Sequence, residues 1–187
     1  MKGQFQDEYF QHHELERLDS HWNYRDLKLQ SVTFCEGAAL HNNPWFKNLP
    51  LIPIKGEVLL CQSPTLKLPR ILYHHKKWLL PNSDGSFRIG ASYDEQITEP
   101  TPTIIRKKEL LSVAQSVLNR TYNVEVKAHQ AGIRPSTVDS RPIVGNHPVE
   151  KGLYLLNGLG SKGATSGPLM AKILVDHMIE GIPISPE

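Results

Sequence analysis

The chain has 187 residues, of which 39% are hydrophobic and 21% charged. That composition is globular, excludes a wholly disordered chain, and can bury a core without disulfide staples. Lys plus Arg (21) nearly balances Asp plus Glu (19), and the net charge of +2 argues against nucleic acid or an anionic membrane as the main partner.

In chain order, FQDEYFQHHELERL (5–18) fits a helix or two short strands equally well. DLKLQSVTFCEGA (26–38) reads as a strand pair, or as one strand ending at Gly37, and NNPWFKNLP (42–50) is turn material. LIPIKGEVLLCQS (51–63) is extended, with Gly56 marking a bulge or a close approach by another group. RILYHHKKWLL (70–80) reads as one strand, PNSDG as a turn, and SFRIGASY (86–93) as the returning strand of an antiparallel meander. Residues 103–119 form the clearest amphipathic helix, with Thr103 as its cap. Ile104, Leu111, Ala114 and Leu118 make its apolar stripe, and Arg106, Lys107 and Lys108 its solvated face. VEVKAHQAGIRPSTVDSRPIVG (124–145) returns to extended structure. GLYLLNGLG (152–160) is a strand entering a glycine turn, and a closing helix over 165–180 is apolar on most sides. Pro168 fits the first turn of that helix, and Gly181 with Pro183 ends it. No apolar run nears the ~20 residues that span a bilayer, and MKGQFQDEYFQHHE lacks an apolar signal core, so secretion is not expected. Cys35 and Cys61 read as reduced thiols of a cytoplasmic protein, not as a disulfide or zinc pair.

Two stretches can carry chemistry. GLGSKG (158–163) is a literal G-x-G-x-x-G between a strand and a helix, but too few residues follow for the second strand and acidic ribose ligand of a dinucleotide site. What remains is a corner whose backbone N–H groups and helix dipole suit an anion or an electron-rich carbonyl; the alternative is an ordinary tight turn. Arg134, held by Pro135 on an extended segment, suits a carboxylate through two hydrogen bonds; the alternative is a pairing with Asp139, Glu125 or a carbonyl. The pairs His12–His13 and His74–His75 point to opposite faces if on strands, so no metal site is expected. Tyr73 or His74 is a candidate pocket residue, against the alternative of a half-solvated edge. There is no G-x-S-x-G, Walker loop or H-E-x-x-H.

Four stretches together resemble one family. VTFCEGA is similar to the strand that closes an FAD domain in A-G-A, and LPLIPIKGEVLL to "lP-x-x-P-x-(K/R)-G-(Q/E)". WLLPNSDGSFRIGASYDE resembles "yl-x-P-x-x-dG-x-x-x-iG-x-t-x-e". AGIRPSTVDSRPIVGNHP with GLYLLNGLGSKGATSGPLMAKIL resembles the family's closing "aG-(l/i)-RP-x-t-x-D" and glycine-loop pattern. The chain is thereby identified as a member of the FAD-dependent amine and amino-acid oxidoreductases, the group of D-amino-acid oxidase, glycine oxidase and sarcosine oxidase, over about residue 30 to the end.

The resemblance implies an α+β fold: a mixed, largely antiparallel sheet of about six strands with one covering helix, plus a C-terminal strand and closing helix belonging to an FAD domain. It implies segments at 1–48 (end of the FAD domain), 49–135 (substrate domain) and 136–187 (return to the FAD domain). Arg134 would grip a substrate carboxylate, with Tyr73 beside it. Gly56, Gly158, Gly160, Ser161, Lys162, Gly163, Ala164 and Thr165 would approach the flavin, although Leu159 departs from the family's usual His. The implied activity is oxidation of a C–N bond of an amino acid or secondary amine by hydride transfer to FAD. No catalytic acid or base is assigned, because a neutral amine needs none. The family's N-terminal G-x-G-x-x-G is missing, so this chain alone is expected to hold FAD weakly or not at all, with an N-terminal FAD-domain chain as a candidate partner. Apolar surface on the closing helix should then be exposed or covered by another copy. A non-catalytic binding domain, one half of a split enzyme and a flavin-dependent tRNA-modifying enzyme are the alternatives.

Overall fold

The structure, a computed structural model, describes residues 3–63, 68–69, 71–95, 99–118 and 123–185. It divides into two compact units: Met1–Leu51 with Thr137–Glu187, and Ile52–Ser136.

In the first unit, strands β1 (Leu15–Leu18), β2 (His21–Tyr24) and β3 (Leu27–Leu29) form an antiparallel meander. Of the two readings of residues 5–18, neither describes the whole segment: a single 3-10 turn at His12–Glu14 leads into β1. A second sheet sets β11 (Leu153–Asn157) between β4 (Val32–Phe34), which is parallel to it, and β10 (Ile143–Asn146), which is antiparallel. Trp22, Tyr24, Phe34, Leu40, Phe46, Leu153 and Leu155 form the buried core of this unit. The Trp22 indole N–H donates to the Lys151 carbonyl (3.0 Å), so its one polar atom is satisfied inside that core.

Helix α2 (Gly163–Glu180) starts two residues earlier than expected. Pro168 therefore lies in the second turn rather than the first, and deprives the Ala164 carbonyl of its usual i→i−4 donor. Gly181 ends the helix in the left-handed conformation (φ 69°) and donates to the His177 carbonyl. Only Leu174 of α2 is buried, whereas Leu169 and Ile179 are 58% and 78% exposed.

In the second unit, β5 (Leu51–Gln62), β6 (Tyr73–His75), β7 (Lys77–Pro81), β8 (Ser86–Gly90) and β9 (Glu125–Thr137) form a five-stranded sheet in the order β6-β7-β8-β5-β9. The segment read as one strand over 70–80 is a hairpin. Lys76 at φ 56° reverses the chain, so Tyr73 pairs with Leu79 and His75 with Lys77; Arg70 lies outside the described residues. Helix α1 (Ile104–Val117) covers one face, packing Leu110, Ala114 and Leu118 on Leu59, Cys61, Leu79, Phe87 and Ile89. The expected helix end at 119 also lies outside the described residues. Ile104, placed on the apolar stripe by sequence, is 64% exposed. At 100° per residue it sits about 80° from Ala114, at the margin of the buried face. Arg106 is not simply solvated, because it pairs with Asp94 (3.2 Å) and Glu109 (2.7 Å).

Candidate functional site

Side chains on a strand alternate between faces, so the residues between the core positions define the face away from α1. On β5 these are Gly56, Val58 and Leu60; on β7, Trp78 and Leu80; on β8, Arg88 and Gly90. Cross-strand register confirms the set, with Val58 and Trp78 both opposite Gly90, and Leu60 and Leu80 both opposite Arg88. A Cβ on Gly90 would come within 2.8 Å of Val58 Cγ2 and 3.0 Å of the Trp78 ring, so only glycine lets these two side chains close over β8.

Arg134 of β9 reaches across Gly56. A Cβ built on Gly56 would lie 2.1–2.3 Å from three atoms of the Arg134 guanidinium, so that group occupies the space glycine leaves. Arg134 Nη1 donates to the Ser92 carbonyl (3.3 Å), and among the described residues no carboxylate pairs with it. Asp139 is turned to Arg141 N–H, and Glu125 to Lys127. Burial lowers the Arg134 pKa from its ordinary value, opposed by the Tyr93 phenol. A half-buried cation without a counter-ion is an anion site in its chemistry. Gly56, Val58, Trp78, Arg88 and residues 130–134 line a cavity of ≈ 450 Å³ around it.

On the opposite face of the same strand, Lys55 and Glu57 are 2% and 1% exposed. Glu57 Oε1 accepts from Lys55 Nζ (3.1 Å) and Thr103 Oγ1 (2.9 Å). Its Oε2 accepts from Thr103 N–H (2.9 Å) and His129 Nε2 (2.7 Å). Lys55 Nζ also donates to the Thr101 carbonyl (2.6 Å). Burial would raise the Glu57 pKa, but the Thr103 backbone and side chain, Lys55 and His129 outweigh it and hold the carboxyl below its ordinary value. Glu57 thus seats the N-terminus of α1, where the helix dipole also favours a negative charge. The K-G-E triplet has a division of labour: Lys55 and Glu57 lock the helix to one face, and Gly56 makes room for Arg134 on the other.

In the first unit, β11 runs into Gly158 (φ 71°), Leu159 and Gly160 (φ 53°), then a 3-10 turn over Gly160–Lys162 that feeds α2. Gly158 N–H donates to Asn157 Oδ1 (2.8 Å), and the buried Asn157 donates to the Gly37 carbonyl (3.0 Å), which fixes the corner. A Cβ at Gly158 would approach Thr137 Cγ2 to 2.9 Å. Gly158→Ala therefore costs about 1–3 kcal/mol from the left-handed backbone alone; a denaturation midpoint unchanged within error would contradict this. No side chain caps α2 at Lys162, and the Thr165 and Ser166 hydroxyls both donate to the Lys162 carbonyl. The N-terminus of α2, a set of backbone donors at the positive end of the helix dipole, thus carries no side-chain cap. That donor set fits the electron-rich pyrimidine edge of a flavin. Leu159, the departure from the family pattern, lies where a Cβ added at Gly163 or Gly167 would meet it at 3.6–3.9 Å.

The structure brings Arg134 and Gly56 together and keeps residues 158–165 contiguous. It does not bring Tyr73 to the Arg134 pocket. Tyr73 pairs with Leu79 and packs into the core under α1, because its register puts it on the helix-covered face. Sequence reading missed Trp78 and Arg88; their spacing two positions from Leu80 and Gly90 was the available signal. Among the described residues no group of three His, Cys, Asp or Glu could hold a metal ion, and no helix is long and apolar enough to cross a membrane.

A family model described as FAD dependent oxidoreductase matches residues 8–177. The glycine oxidase of Pseudomonas aeruginosa is 29% identical over 136 residues, covering 73% of this chain and 37% of that enzyme. The tRNA 5-methylaminomethyl-2-thiouridine biosynthesis bifunctional protein MnmC of Marinobacter nauticus is 30% identical over 184 residues, covering 89% of this chain and 29% of that protein. Glycine oxidase from Geobacillus kaustophilus shares the fold, with a TM-score of 0.73 at 23% identity over 92% of this chain and 48% of that one. The chain thus spans about a third of the length of the curated relatives it matches.

Proposed function

The chain belongs to the FAD dependent oxidoreductase family, and from that premise we propose that it supplies the substrate-binding and C-terminal portion of a flavoenzyme oxidising a C–N bond of an amino acid or secondary amine. The observation that carries this reading is Arg134, a half-buried guanidinium without a carboxylate partner among the described residues, lining a cavity. Its planar fork holds a substrate carboxylate by two charge-assisted hydrogen bonds and so orients the adjacent C–N bond. Gly56 is assigned to this arginine rather than to the flavin. FAD, when bound, supplies the two-electron acceptor for the substrate hydride. Gly158, Gly160, Ser161, Lys162, Gly163, Ala164 and Thr165 hold the flavin's electron-rich edge through backbone N–H groups and the positive end of α2.

Calorimetric titration tests the carboxylate role directly. The chain should bind N-methylglycine saturably and show no heat of binding with methylamine, which has the amine but no carboxylate. Equal binding of the two, or of neither, would refute the reading.

A further inference from the structure

Arg88 is the second cation of the Arg134 cavity. It sits in the middle of β8 on the face away from α1, flanked across the sheet by Leu60 and Leu80. Both guanidiniums line the same ≈ 450 Å³ space, and no Asp or Glu lines it with them. Among the described residues Arg88 has no ion-pair partner, while the carboxylates of this unit that do form pairs are taken elsewhere. Glu57 serves Lys55 and His129, Asp94 and Glu109 serve Arg106, and Glu125 serves Lys127. Val58 and Trp78 supply apolar wall beside the two charges. One carboxylate on Arg134 leaves a positive group in the same cavity with no ion-pair partner among the described residues to neutralise it.

Resting on the reading of Arg134 as the carboxylate anchor, we propose that the substrate carries a second carboxylate, bound by Arg88: the site is built for a dicarboxylic amino acid or secondary amine. Specificity then comes from Arg88 and binding orientation from Arg134, since a site offering two forks penalises a ligand that fills only one.

Titration calorimetry of the full chain compares N-methylglycine with each enantiomer of N-methylaspartate, which differs from it by one carboxymethyl arm. At least one enantiomer should bind about tenfold more tightly than N-methylglycine, the scale of one charge-assisted contact. Arg88→Gln should abolish that preference, while Arg88→Lys restores part of it. Equal binding of both compounds to the wild-type chain, or a preference that survives Arg88→Gln, would overturn this proposal and leave the Arg134 anchor standing. Binding of neither compound would overturn both. Arg88 is exposed, so its variants keep the fold, which circular dichroism verifies.

Discussion

In chemical denaturation, Glu57→Gln should lose about 3–5 kcal/mol, the cost of breaking a buried ion pair by removing one partner. Lys55 stays 2% exposed, now without its counter-charge. Gln also presents an N–H₂ group to donors: Thr103 N–H, Thr103 Oγ1 and His129 Nε2 all point at the position of the Glu57 oxygens. A double variant, Glu57→Gln with Lys55→Met, should recover much of the loss, because the orphaned ammonium is removed with it. The pH dependence has a definite sign. The folded Glu57 pKa lies below its ordinary value of 4.5, so its stabilisation is complete above about pH 4.5 and is lost as pH falls through the folded value. The difference in stability between wild type and Glu57→Gln should therefore shrink on acidification below pH 4.5. A loss under about 1 kcal/mol at neutral pH, or a difference that grows in acid, would show that Glu57 does not hold α1 as described.

Gly56→Ala should reduce carboxylate binding about 100-fold, the worth of two charge-assisted hydrogen bonds, while leaving stability nearly unchanged. The added methyl carbon would lie 2.1 Å from Arg134 Nη2 and 2.3 Å from Cζ and Nη1. All three atoms are the far end of a flexible side chain, so the guanidinium moves and the strand does not. The replacement also restricts the unfolded backbone, which offsets any lost packing. Arg134→Ala should match this loss. Added to Gly56→Ala, the Arg134→Ala substitution should cost little more, since the displaced group no longer contributes. Independent, additive losses would show that Gly56 and Arg134 do not act together.

Much of this was legible in the chain itself. The α1 cap at Thr103, the turn at PNSDG and the strand–glycine–helix passage at 153–163 follow from local rules, and the structure has all three. The K-G-E triplet was visible as a motif, but not its two-sided use, because face assignment requires the register with β8 and β9. Tyr73 was misplaced for the same reason: Lys76 adopts a positive φ without the glycine that normally announces it, so the hairpin that turns Tyr73 toward the core left no mark. Arg88 had no motif of its own in the strand SFRIGASY, and only the shared cavity relates it to Arg134.

The most direct test is the side-chain Nε–H resonance of Arg134 in the ¹⁵N spectrum of the full chain, identified by its absence in Arg134→Ala. Titration with N-methylglycine should shift it saturably, with the same dissociation constant found by calorimetry, and methylamine should leave it in place. A resonance that stays fixed while N-methylglycine binds would put the carboxylate elsewhere and contradict the assignment of Arg134 as its anchor.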